Sequence, residues 1–172
     1  MILISNHLLT LPQFAGLSID VVIRINLSYV QDEAELKRFL SVPNYVFLDY
    51  PKDRTKPPEP VLSYETALRI AKQHDNVKYF AVSNIENVED VEEYKMPERI
   101  KLVPKIETIE GVQNLDKILN CGIKYIMLDA EDLYTDCGDK DIFLEAKTAV
   151  QEICKEREVQ LLELYGVVFS DL

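Results

Sequence analysis

The residues best equipped for chemistry lie in one run, from Lys101 to Asp132. Lys105 and Glu107 stand near its start. Asp129, Glu131 and Asp132 close it. Hard carboxylate oxygens few in number suit Mg²⁺, or Mn²⁺ in its place, because such an ion keeps several waters for a substrate to displace. Glu107 and Asp132 are the candidate ligands; two ordinary exposed carboxylates are the plain alternative. Asp129 is either an additional ligand or a bulky charge that fills the site. Glu131 either supports a ligand from behind or is simply exposed.

These groups need elements to place them. Lys101 to Glu107 alternates as a strand does, with Leu102, Pro104 and Ile106 on one face and Lys105 and Glu107 on the other. Thr108 can cap a helix that aligns Val112, Leu115, Ile118 and Leu119, and Gly122 can stop it. Ile123 to Asp129 reads as the next strand. So short a strand–helix–strand unit is normally a parallel, right-handed crossover. Glu107 then lies beside Asp129 and Asp132 at the carboxyl ends of neighbouring strands, where such folds put ligands.

The remaining chain continues the alternation. Strands are expected at Ile2–Ser5, Ile19–Asn26, Tyr45–Asp49, Val77–Ser83 and Val159–Val168. Helices are expected at Asp32–Leu40, Tyr64–His74, Val88–Tyr94 and Asp141–Arg157, with loops at Leu8–Leu17 and Pro51–Pro60. Ile85–Glu89 echoes Ile106–Glu110, which suggests repeated units. Strands alternating with helices call for an α/β fold with a mainly parallel sheet. Turning the apolar strand faces toward the helices leaves Arg24, Asn26, Asp49, Ser83, Lys105, Glu107 and Asp129 on the other face, at or near the carboxyl ends. Arg24 has the planar fork that grips a carboxylate. It serves equally for an internal salt bridge to Glu107 or Asp49. For Lys105 the residues favour a salt bridge with a neighbouring carboxylate.

Composition narrows the function classes. The 172 residues suffice for one domain with a real core. The formal charge of −11 disfavours nucleic acid and anionic membrane as partners. No apolar run reaches membrane-span length, and the N-terminus lacks the basic segment of a signal peptide. Cys121, Cys137 and Cys154 lack metal-site spacing and read as reduced thiols, so the expected location is the cytoplasm. His7 and His74 have no catalytic partner in sequence, and no phosphate-cradling Gly-rich loop occurs.

The segment Lys105-Ile106-Glu107-Thr108 with Gly111, followed by Ala130-Glu131-Asp132-Leu133, resembles the paired motifs of the phosphoenolpyruvate/pyruvate barrels. The resemblance is strongest to the citrate lyase β-subunit and the related HpcH/HpaI magnesium-dependent aldolases. It implies that Glu107 and Asp132 hold Mg²⁺, and that the metal holds an α-keto acid or its enolate. Val22-Ile23-Arg24-Ile25-Asn26 is similar to the family strand whose arginine binds the substrate carboxylate. Asp49 and Ser83, on the same polar strand face, join Arg24 as substrate-binding candidates. Lys105 matches a lysine of pyruvate kinase that neutralises transferring charge, so it joins Arg24 as a catalytic candidate, although citrate-lyase-like members usually carry an apolar residue there. Asp129 departs from the family pattern, which has glycine before Ala-Glu-Asp-Leu.

The implied fold is a TIM-type (β/α) barrel. Because a full barrel needs at least ~200 residues and eight strands, the expectation is a reduced or incomplete one in a single domain, residues 1–172. An open doubly wound sheet is the alternative. The implied activity is a Mg²⁺-dependent carbon–carbon lyase acting on a small α-keto acid or acyl-CoA through an enolate. A non-catalytic barrel homologue that serves as a binding or assembly subunit is the alternative. A short sheet with uncovered edges, and the apolar Val159–Val168 strand, also predict a homo-oligomer.

Overall fold

The computed structural model describes residues 2–5, 18, 20–53 and 58–163. Among these it contains seven strands, with helices between successive strands from the second onward, an α/β fold whose paired strands run parallel. The chain divides into two compact units, Met1–Ser83 with Met96–Leu102, and Asn84–Lys95 with Val103–Leu172.

The first unit holds β1 (Ile2–Ser5), β2 (Val21–Asn26), β3 (Val46–Tyr50) and β4 (Val77–Val82), each paired with the next. All six residues of β2 are buried, as expected of a parallel strand covered on both faces. Helix α1 (Glu33–Leu40) starts at Asp32, whose carboxylate accepts from the Glu35 N–H at 2.7 Å. Its apolar stripe, Leu36, Phe39 and Leu40, is buried. Helix α2 (Tyr64–Ala71) is capped by Ser63 and buries Ala67, Leu68, Ile70 and Ala71. Two asparagines tie the loops at the amino ends of the strands. The Asn44 amide donates to the Ser18 and Val21 carbonyls, and the Asn76 amide to those of Leu40, Val42 and Asn44. Buried loop carbonyls need such donors.

The second unit begins with Asn84 and contains α3 (Val88–Glu93), with Asn87 and Asp90 forming a reciprocal capping box. Strand β5 (Lys101–Ile106) enters this unit at Val103 and pairs with β6 (Tyr125–Leu128), which pairs with β7 (Gln160–Glu163). Thr108 caps the following helix as expected, its hydroxyl accepting from the Gly111 N–H at 3.2 Å. That helix is not continuous. It breaks into α4 (Ile109–Gln113) and α5 (Leu115–Leu119) at Asn114, whose side-chain amide donates to the Glu86 carbonyl at 3.0 Å. The expected face survives the break, with Val112, Leu115, Ile118 and Leu119 all buried. Gly111 has a separate reason to be glycine. A Cβ there would stand 2.9 Å from the Ile85 carbonyl oxygen, inside van der Waals contact.

Helix α6 (Ala130–Cys137) follows β6 directly and stops at Gly138, where φ is +64°. Sequence periodicity did not point to it, since only Leu133 along its length is buried. Helix α7 (Lys140–Glu156) covers β7 and is fastened to it by Lys147 and Gln151, both bonded to Glu163. The expected final strand Val159–Val168 is seen as Gln160–Glu163. Its part beyond Glu163, like the expected loop at Leu8–Leu17, lies outside the described residues. Within the described residues no helix is long and apolar enough to cross a membrane.

Candidate metal centre

In the second unit the crossover from β5 through α4 and α5 to β6 does what the alternation requires. Lys105 pairs in register with Met127 and Ile106 with Leu128, so Glu107 and Asp129 both emerge just past adjacent strand ends. Asp129 is the cap position of α6, and Asp132 lies in that helix's first turn. One oxygen each from Glu107, Asp129 and Asp132 lie within 4.8 Å of one another. The amino end of α6 adds a partial positive charge that favours carboxylates there.

Glu107 is 4% exposed, and its Oε1 is buried without a hydrogen-bond donor. Its Oε1 lies 2.7 Å from Lys105 Nζ, and its Oε2 accepts from the Asn84 N–H at 2.7 Å. Lys105 Nζ also lies 3.4 Å from Asp129 Oδ2. Burial pushes the Glu107 carboxyl above its ordinary value and outweighs the ammonium of Lys105, which pulls it down; Asp129 adds to the rise.

Asn84 is a functional candidate that sequence reading missed. It adopts φ +51°, a left-handed conformation that asparagine tolerates better than most residues. The bend turns its N–H onto Glu107 while the next N–H, of Ile85, donates to the Lys105 carbonyl at 3.3 Å. The only sequence signal was the Ile85–Glu89 echo of Ile106–Glu110. It reflects a shared cap geometry, Asn87 on α3 and Thr108 on α4.

The donor set fits a hard cation. Opposed oxygens stand about 4.2 Å apart across Mg²⁺ and about 4.6–5.2 Å across Ca²⁺; the observed spread of up to 4.8 Å lies within the Ca²⁺ range, so Mg²⁺ would draw the carboxylates slightly closer. Three ionised carboxylates and one ammonium leave a formal charge of −2, which a divalent ion would neutralise. Glu131, between the ligands in sequence, is exposed.

The other expected site residues belong to the first unit. Arg24 is 7% exposed and sends Nε (2.9 Å) and Nη2 to Asp49 Oδ2, and Nη1 to Ser5 Oγ at 3.2 Å. Of the two internal partners expected for Arg24, the structure has Asp49. Asn26 pairs in register with Asp49 and spends its side-chain oxygen on the Ser28 N–H. Ser83 is buried just past β4, where its N–H donates to the Tyr50 carbonyl. The three thiols are unpaired, and burial raises that of Cys154 to about 11. None of them is near the thiolate form at neutral pH.

No protein-family model and no curated protein matches the sequence. Among solved structures, the fold is similar to that of RipC from Yersinia pestis. The TM-score is 0.62 at 13% identity, over 87% of this chain and 72% of RipC. At that identity the likeness concerns the fold alone.

Proposed function

We propose that the chain is a divalent-cation-dependent carbon–carbon lyase of the citrate-lyase or aldolase type, built on a reduced (β/α) barrel and working in the cytoplasm on a small α-keto acid or an acyl-CoA. The observation that carries the proposal is the convergence of Glu107, Asp129 and Asp132 within 4.8 Å at the ends of adjacent parallel strands. The lyase class comes from the resemblance of the segments around Glu107 and Asp132 to the aldolase motifs. Parallel strands in chain order within each unit support the barrel.

Glu107, Asp132 and Asp129 would hold the ion. When bound, Mg²⁺ or Mn²⁺ would stabilise negative charge that develops on a substrate oxygen. Burial of Glu107 and Lys105 keeps water from screening the charges around that oxygen. Asn84 orients Glu107 through its N–H, and Lys105 supplies positive charge beside it.

A second assignment, a non-catalytic homologue, has its own support. The two cations expected to meet a substrate are already committed, Arg24 to Asp49 and Ser5, Lys105 to Glu107 and Asp129. One experiment separates the two. Purified protein is incubated with oxaloacetate or a 4-hydroxy-2-oxo acid, with and without Mg²⁺, products (pyruvate with CO₂ or with an aldehyde) are followed by NMR, and melting temperatures are recorded in parallel. Metal-dependent release of pyruvate, lost in Glu107→Gln, is expected of the enzyme. No metal-dependent shift in melting temperature and no turnover would leave the binding subunit standing.

A further inference from the structure

Lys105 is the charged group whose place at the metal centre is hardest to reconcile with metal binding. Its side chain is 6% exposed, and its ammonium contacts two of the three clustered carboxylates, Glu107 at 2.7 Å and Asp129 at 3.4 Å. One Glu107 oxygen accepts from the Asn84 N–H, and the other, which accepts no hydrogen bond, has the Lys105 ammonium as its ion-pair neighbour. The cluster holds a cation that the chain itself delivers. We propose that Lys105 is the resident counter-ion of the Glu107–Asp129–Asp132 cluster and that, by opposing entry of a divalent cation, it sets the affinity of the centre. The inference rests on the metal assignment made above and adds to it the residue that keeps the ion exchangeable.

Two roles are open to a lysine in this position, and they predict opposite things. A brace holds the ligands in place, so its loss weakens metal binding. A counter-ion competes, so its loss tightens metal binding. The geometry favours competition. An ammonium is a compact point charge without the planar fork that would fix a carboxylate's orientation. Glu107 is oriented instead by a backbone N–H, that of Asn84. Asp129 is placed by the backbone too, as the residue from which α6 begins. An ion bound to Glu107 Oε1 would lie at most about 5 Å from the ammonium, since metal–oxygen distances are about 2.0–2.6 Å. At such a distance, with little water between them, a single and a double positive charge repel strongly.

The same arrangement gives the cluster a positive charge of its own. Three carboxylates within 4.8 Å with no cation among them would repel one another. With Lys105 present the cluster needs no metal to fold. Metal then binds as a reversible ligand and not as a permanent structural ion.

The test is calorimetric titration with Mn²⁺, paired with thermal unfolding, on the full chain and on Lys105→Met. Methionine keeps the length and packing of the lysine stem and removes its charge. Lys105→Met is expected to bind Mn²⁺ at least about tenfold more tightly than the wild type, and Glu107→Gln is expected to abolish binding. If the wild type binds Mn²⁺ and Lys105→Met binds it equally or more weakly, Lys105 is a brace. The counter-ion role is then overturned while the metal assignment stands. If neither protein binds Mn²⁺, both are overturned. Should Lys105→Met fail to fold by itself, millimolar Mn²⁺ is expected to restore a cooperative melting transition, because the ion replaces the lost ammonium. A chain that stays unfolded in Mn²⁺ overturns the proposal.

Discussion

Glu107 carries a carboxylate where 4% exposure leaves little water to solvate it, and burial is the largest influence on its proton. Its pKa lies above the ordinary 4.5, so the folded protein holds that proton more tightly than the unfolded chain does. The resulting stabilisation is full below about pH 4.5 and is lost as pH rises through the folded value. The stability of the wild type relative to Glu107→Gln should therefore fall from about pH 4 upward, as read from urea midpoints at fixed salt. A difference that stays level, or grows with pH, would show that Lys105 and Asn84 outweigh burial. Arg24 presents a different balance, since its guanidinium makes two bonds to Asp49 and one to Ser5 in a buried setting. Arg24→Lys keeps the charge and loses the fork, which should lower stability by about 1–3 kcal/mol in denaturant unfolding. An unchanged midpoint would mean that the pair contributes nothing to the folded state.

Elements bring these residues together, and their ends matter more than their middles. Thr108 begins α4 immediately after Glu107, and its hydroxyl holds the Gly111 N–H. Thr108→Ala should cost about 1 kcal/mol in thermal or chemical unfolding, whereas Thr108→Ser should cost less because it keeps the acceptor. The strands and this cap were legible because alternation and cap chemistry are local signals. Helix α6 was not, although Asp129, its acidic first turn and Gly138 spell a helix start and stop. Tyr134 is 49% exposed and Leu133 alone is buried, so no apolar stripe announces the helix. The break at Asn114 coincides with a side-chain bond to Glu86, far away in sequence. The polar strand face was legible as a set of residues, but which of them pair was not. Arg24 with Asp49 and Lys105 with Glu107 are choices made by register and burial, which sequence spacing does not encode. Asn84 escaped notice for a similar reason, because the residue contributes a backbone N–H and a bend.

At the scale of the whole molecule, two units each carry parallel strands and an independent buried ion pair, Arg24–Asp49 in one and Lys105–Glu107 in the other. Among the described residues β7 pairs with β6 alone, and the same unit exposes Tyr134, Ile142 and Leu144. Unpaired strand edges and exposed apolar side chains are normally covered in the assembled protein. We therefore expect a homodimer by light scattering at about micromolar concentration, two-fold symmetry being the commonest arrangement. A monomer across the accessible concentration range would count against it. The approach of Gly111 to the Ile85 carbonyl has a consequence for how this chain can vary. A Cβ at position 111 would press on the Ile85 carbonyl, next to the Asn84 N–H that holds Glu107. Gly111→Ala should keep every charged group yet lower the melting temperature and weaken Mn²⁺ binding; normal values for both would show that the Ile85 carbonyl yields. In a saturation scan position 111 should tolerate substitution as poorly as a ligand position, a hidden constraint carried by the smallest side chain in the protein.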